Sequence, residues 1–102
     1  DVLLASVPEA GSAFDQSVLG TVLAQPTADR EVLLETLRSW FAQGGSASAA
    51  AARLYVHRNT VRYRIRRVEE LTGRSLADPA SISQIHIAIE AIRIFGLDLA
   101  PT

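Results

Sequence analysis

The 102-residue sequence predicts an all-α fold, a small bundle of about five helices. Three observations carry this expectation. Several segments repeat their apolar residues at spacings of three and four, the period of a helix with one buried face. Serine, threonine, aspartate, proline and glycine punctuate those segments where helices start and stop. No segment alternates apolar and polar residues over the length of a strand.

The first predicted helix lies in SAFDQSVLGTVLA, residues 12–24. Ser12 and Asp15 resemble a capping box, and Phe14, Val18, Leu19, Val22 and Leu23 follow at helical spacing. Gly20 weakens this helix by about 1 kcal/mol relative to alanine. Residues 1–10 are apolar, broken at Pro8, and read as a short helix or an arm. Residues 1–27 are therefore taken as an N-terminal helical arm and 28–102 as the main part of one compact domain.

In TADREVLLETLRSWFAQGG, residues 27–45, Thr27 is the expected cap and Gly44 the stop. Asp29 and Glu31 suit the positive end of the helix dipole. Leu33, Leu34, Leu37, Trp40 and Phe41 form the buried stripe, with Trp40 as a core anchor. SASAAAARLYV, residues 46–56, reads as a short alanine-rich helix capped by Ser46 or Ser48, open to close approach by another backbone. After a turn at Leu54-Tyr55-Val56 a further helix runs to Gly73. The last helix is capped by Asp78, begins at Pro79 and stops at Gly96.

Composition excludes several classes of function. There is no cysteine, hence no disulfide framework or thiol chemistry, and two separated histidines argue against a structural zinc site. No apolar run approaches the roughly 20 residues that span a bilayer, and no basic start marks a signal peptide. A cytoplasmic protein without a cofactor is expected. The first residue is not methionine, and an upstream domain is expected as well. No paired carboxylates, nucleophile–base pair or phosphate-cradling glycine loop points to an enzyme.

The charge is unevenly placed. Residues 53–74 hold seven arginines against two glutamates, an excess of five positive charges. The rest of the chain holds three arginines against nine acids, an excess of six negative ones. A net charge of −1 therefore leaves room for a polyanionic partner, because the local field decides. The chain contains no lysine, so every one of these cations is a planar fork able to grip a phosphate or a guanine edge with two bonds.

At 100° per residue, Val61, Ile65, Val68 and Leu71 fall on one side of the helix that spans residues 57–72. Asn59, Arg62, Tyr63 and Arg66 fall on the other, with Arg58 and Arg67 at the edges. Arg64 lies beside the apolar stripe, where its stem packs and its guanidinium reaches water. A solvated face would account for the arginines alone. The amide and hydroxyl groups of Asn59 and Tyr63 among them, and the small-residue helix with its tight turn just before, point instead to a helix-turn-helix. Ala51 allows the crossing, Leu54 and Val56 plug the turn, and Val61 and Ile65 complete the buried contact. The exposed N-terminal end of the second helix would then enter the major groove.

SASAAAARLYVHRNTVRYRIRRVEELTGRSL closely resembles the C-terminal helix-turn-helix domain of the PucR/CdaR-like bacterial transcription regulators. VHRNTVRYRIRRVEELTG matches that family's signature and LLETLRSWFAQGG its preceding helix, so the likeness covers about residues 28–96. A looser likeness to Fis-type domains rests on Arg58-Asn59-Thr60. The PucR resemblance implies DNA binding through the helix that carries Arg58, Asn59, Thr60, Arg62, Tyr63 and Arg66, and a separate upstream sensory domain. His57 and Arg67 complete the candidate set. His57 reads either as a helix-starting residue or as a donor to phosphate. One departure is Tyr55, where a glycine often relaxes the turn and a positive φ would be unfavourable for a side chain.

Two further features bear on partners. Ile82, Ile85, Ile89 and Ile92 form one stripe of the last helix, and Ile87 and Ile94 form another. The second stripe is either covered by residues 1–24 or serves as a homodimer seam or docking face for the upstream domain. His86 lies with Ser83, Glu90 and Arg93 on a polar strip expected to face water. The rival to a DNA-binding output domain is a helical interaction or dimerisation module whose arginine face docks an acidic protein.

Overall fold

A computed structural model describes residues 18–95. Among these residues there are five helices and no strand. Helix α1 covers residues 18–23, α2 Thr27–Ala42, α3 Ala47–Leu54, α4 Arg58–Thr72 and α5 Pro79–Phe95. The all-α expectation is met. The Ser12–Asp15 box, Phe14, residues 1–10 and the Gly96 stop lie outside the described residues.

Most helix ends follow local chemistry. Ser46 caps α3 by accepting the Ala49 amide at 3.0 Å. Asp78 caps α5 by accepting the Ser81 amide at 3.0 Å, and Pro79 holds the first helical position. Gly73 closes α4 in the left-handed region at φ 67°. Thr27 does not cap α2: the cap position falls on Pro26, and no side chain accepts an amide there. Pro26 instead supplies its carbonyl to the Arg30 amide at 2.8 Å. Its fixed φ breaks the chain one residue earlier than Thr27 would.

Two apolar clusters organise the bundle. The larger joins Val18, Leu19 and Val22 of α1 with Leu33, Leu34 and Leu37 of α2, Val68 of α4, and Ile85, Ala88, Ile89 and Ile92 of α5. Leu76, between α4 and α5, completes it. The smaller consists of Ala50 and Ala51 of α3 against Val61 of α4, ringed by Leu54 and Val56. Trp40 and Ile65 pack against both clusters and weld them together. Helix α4 thus contributes Val61 to one core and Val68 to the other, each fully buried. Burying a valine is worth about 1.5–3 kcal/mol, so these two side chains alone hold α4 firmly in rotation.

Polar links lock the same helix lengthwise. The Thr21 hydroxyl donates to the Leu71 carbonyl, tying α1 to the last turn of α4. The Glu69 carboxylate accepts the Leu76 amide at 2.7 Å and pins the connection that leads to α5. Arg74 reaches Gln84 on α5 through Nε at 3.0 Å.

Because Val61 is fully buried against Ala50 and Ala51, Val61→Asp is expected to cost several kcal/mol. Circular dichroism should then show a loosened or unfolded chain. A variant that melts with the parent would place Val61 outside the core.

Candidate nucleic-acid interface

The interface is assembled by a short helix, a tight turn and a long helix. Ala50 and Ala51 are buried, and their small side chains let α3 cross close to α4 at Val61. The turn closes on Tyr55, which adopts φ 58° and ψ 42°, the left-handed conformation, while the Val56 amide donates back to the Ala51 carbonyl at 3.0 Å. Tyr55 is the one non-glycine residue with positive φ among the described residues. The turn therefore has the glycine geometry without the glycine. Left-handed backbone costs an L-residue roughly 1–2 kcal/mol.

His57 then starts α4. Its Nδ1 accepts the Asn59 amide at 3.0 Å, making the imidazole the helix cap. A nitrogen that accepts carries no proton, so the ring's remaining proton sits on Nε2, where it is a donor. Both readings of His57 given by the sequence remain compatible with this geometry.

Of the residues singled out in the sequence, His57, Arg58, Asn59, Arg62, Tyr63, Arg66 and Arg67 are exposed on α4 and its cap, and Thr60 is half-buried. The arginines differ in what they touch. Arg67 Nη1 lies 3.4 Å from the Glu70 carboxylate, an exposed pair of small energetic weight. Arg64 is half-buried, as a packed stem would make it. Its Nη1 donates to the Thr36 hydroxyl of α2 at 3.3 Å. Thr36 is only 1% exposed, and its hydroxyl donates to the Val32 carbonyl at 2.8 Å. Arg58, Arg62 and Arg66 have neither a hydrogen-bond nor an ion-pair partner among the described residues. Glu69 does not pair with them; its carboxylate accepts the Leu76 amide instead. The Thr36 contact was missed in the sequence. Its signal was a lone hydroxyl inside the Leu33, Leu34, Leu37 stripe.

A shallow cleft between α3 and α4 adjoins this face and is lined by Ser48, Ala51, Ala52, Val56, His57 and Arg58. The other features lie elsewhere. His86 is not simply a solvated side chain: its ring stacks on Phe41 with centroids 4.4 Å apart and planes 6° from parallel. Trp40 meets Phe41 edge-on at 5.1 Å and packs into both cores, as an anchor would. Arg93 donates to Glu90 at 2.7 Å and holds its carboxyl below the ordinary value. That stabilisation is present above the usual carboxylate range and fades as acid protonates Glu90, but an exposed pair adds little. Ile87 and Ile94 are 58% and 63% exposed, and with His86, Glu90 and Ala91 they line an open apolar groove. Among the described residues no cluster of three or more metal-ligating side chains exists, and no helix is long and apolar enough to cross a membrane.

A short helix, a left-handed turn and a second helix with an unpaired basic face together make a helix-turn-helix domain. The chain belongs to the PucR family: residues 33–91 match the PucR C-terminal helix-turn-helix domain. It is 40% identical over 74 residues to the purine catabolism regulatory protein of Bacillus subtilis, covering 72% of this chain and 14% of that protein. It is 38% identical over 89 residues to the transcriptional activator PmfR of Paenarthrobacter nicotinovorans, covering 87% of this chain and 19% of that protein. The carbohydrate diacid regulator of Escherichia coli is 32% identical over 74 residues, with 67% of this chain and 19% of that protein covered. The chain thus spans less than a fifth of the length of these relatives. The family is one of transcriptional regulators, not enzymes, and supports a DNA-binding regulatory output domain. No solved structure matches the chain.

The Thr36–Arg64 bond fixes the back edge of α4, and its worth is measurable by a double-mutant cycle. Thr36→Val and Arg64→Ala should each destabilise the chain in urea. Their coupling should be about 0.5–1.5 kcal/mol, the net value of one hydrogen bond, and Thr36→Ser should retain it. Strict additivity would show that the bond contributes nothing.

Proposed function

We propose that this chain is the sequence-specific DNA-binding output domain of a bacterial transcriptional regulator, with residues 57–72 placed in the major groove. One observation carries the reading. Arg58, Arg62 and Arg66 stand unpaired on the exposed side of a helix whose reverse is sealed into two cores. Unpaired guanidinium groups on a rigid support are suited to bidentate bonds with guanine O6 and N7 or with phosphate. Asn59 adds an amide of the kind that pairs with adenine, and Tyr63 adds a hydroxyl. Arg58, Asn59, Arg62, Tyr63 and Arg66 are assigned most base contacts. His57, Thr60 and Arg67 are assigned to the backbone that sets register.

The relatives' greater length supports an upstream sensory domain in the whole regulator, which would act in the cytoplasm. A second copy of the chain is the proposed partner for the groove of Ile87 and Ile94 on α5. A single small DNA-binding module buries about 600–1,000 Å², and a two-fold pair doubles that area. Two copies would read half-sites about 34 Å apart or a multiple of it.

Selection of bound sequences from a random duplex pool tests the reading. A recovered consensus bound more tightly than its scrambled version supports it. Equal affinity for both would leave an arginine face that docks acidic surfaces in general. Arg62→Ala or Arg66→Ala should weaken binding to the selected duplex by about 1–3 kcal/mol with little change in melting. Unchanged binding by the double variant would assign the reading to another element.

Ile87→Glu or Ile94→Glu places one charge in a two-fold seam twice. Either should shift the sedimenting species to monomer and weaken binding to a full site more than to a half-site. A parent that sediments strictly as monomer at tens of micromolar would remove α5 as the seam.

A further inference from the structure

The turn between α3 and α4 carries two residues that the fold alone would not choose. Position 55 needs left-handed backbone, which glycine supplies without a steric penalty, yet it holds a tyrosine. Position 57 needs a helix cap, for which serine, threonine, aspartate and asparagine are the preferred residues, yet it holds a histidine. Neither side chain is repaid by packing. Tyr55 is 94% exposed and its hydroxyl has no partner among the described residues, and His57 is exposed apart from its cap bond. Backbone strain at an exposed residue, with no compensating contact within the chain, points to a partner outside it.

We propose that the turn Tyr55–Val56–His57 grips the DNA sugar–phosphate backbone, with the Tyr55 hydroxyl and the His57 Nε2–H donating to phosphate oxygens beside the groove that α4 enters. The inference rests on the DNA-binding reading above and assigns to it a residue, Tyr55, that the arginine face does not include.

Position and chemistry favour phosphate over bases. A helix with its side chains is about 10–12 Å wide and the major groove about 12 Å, so little besides the helix's own exposed face meets base edges. A residue just before the helix start is set at the wall of the groove, which is phosphate and sugar. Tyrosine offers one hydroxyl on a rigid ring, suited to a single phosphate oxygen and not to the two-atom patterns that distinguish bases. The His57 cap bond adds a constraint of the same kind. With Nδ1 accepting the Asn59 amide, Nε2–H is left as the ring's donor. Arg58 follows directly and lines the same cleft as His57.

The test uses the 102-residue chain with Tyr55→Phe, Tyr55→Gly and His57→Ser, the last keeping a side-chain cap. Melting temperature and affinity are measured, with two duplex probes of equal length: the sequence the parent selects from a random pool, and its scrambled version. Tyr55→Phe should melt with the parent and Tyr55→Gly at or above it, because glycine relieves the left-handed backbone. Both should bind both duplexes about threefold to tenfold more weakly, the value of one hydrogen bond, with the ratio between duplexes preserved. A neutral hydroxyl displaces no counterion, so the salt slope should match the parent's, unlike that of an arginine variant. His57→Ser should repeat the uniform loss. Parent-like binding by Tyr55→Phe overturns the proposal. A loss confined to the selected duplex overturns it too, by showing a base contact. If the parent itself does not prefer the selected duplex, the reading beneath the proposal has failed instead.

Discussion

The structure depends on one helix being held by two cores at once. Val61 closes the small cluster with Ala50 and Ala51, Val68 enters the larger one, and Trp40 and Ile65 belong to both. A helix gripped at two points along the same stripe cannot roll without emptying one of them. The opposite face is thereby fixed in direction, and that face holds Arg58, Asn59, Arg62, Tyr63 and Arg66. Preorganisation of this kind means that little ordering of the helix remains to be done when a partner binds.

Segregation of the arginines by partner follows from the same geometry. Arg64 sits at the edge of the buried stripe, close enough to α2 for Thr36 to take it, and Arg74 lies past the end of α4 beside α5. Arg67, at the C-terminal half of α4, faces Glu70. On α4 the unpaired guanidinium groups are those of Arg58, Arg62 and Arg66, all on the outer face. Helix α1 lies outside the segment matched by the PucR domain, yet Val18, Leu19 and Val22 are part of the main core. The residues that hold α4 in place therefore extend beyond the residues that mark the family.

What could be read in the sequence was what depends on neighbours along the chain. The 3.6-residue period placed Val61, Ile65 and Val68 on one side of α4 and so placed the arginines on the other. Ser46, Gly73 and the Asp78–Pro79 pair marked helix ends because caps act within three residues. Thr27 misled because Pro26, one residue earlier, sets the break by its fixed φ. The contacts that escaped notice span the fold. Thr36 and Arg64 are 28 residues apart, and Phe41 and His86 lie on different helices. A local pattern shows that Arg64 and His86 are polar but not which side chain each will meet. Tyr55 shows the limit most clearly. The sequence marks the position as one that favours glycine, and only the close crossing of α3 and α4 decides that the backbone turns left-handed there regardless.

The central claim is that the outward face of α4 meets DNA while its inward face stays sealed. Amide and arginine side-chain resonances of the nitrogen-15-labelled chain, followed as a selected duplex is added, test it residue by residue. The largest shifts should run from Tyr55 to Arg67, with Val68, Leu71 and the buried isoleucines of α5 nearly unmoved. Shifts centred on α5, or on the first turns of α2, with Arg58, Arg62 and Arg66 unchanged while the duplex is bound, would contradict the account.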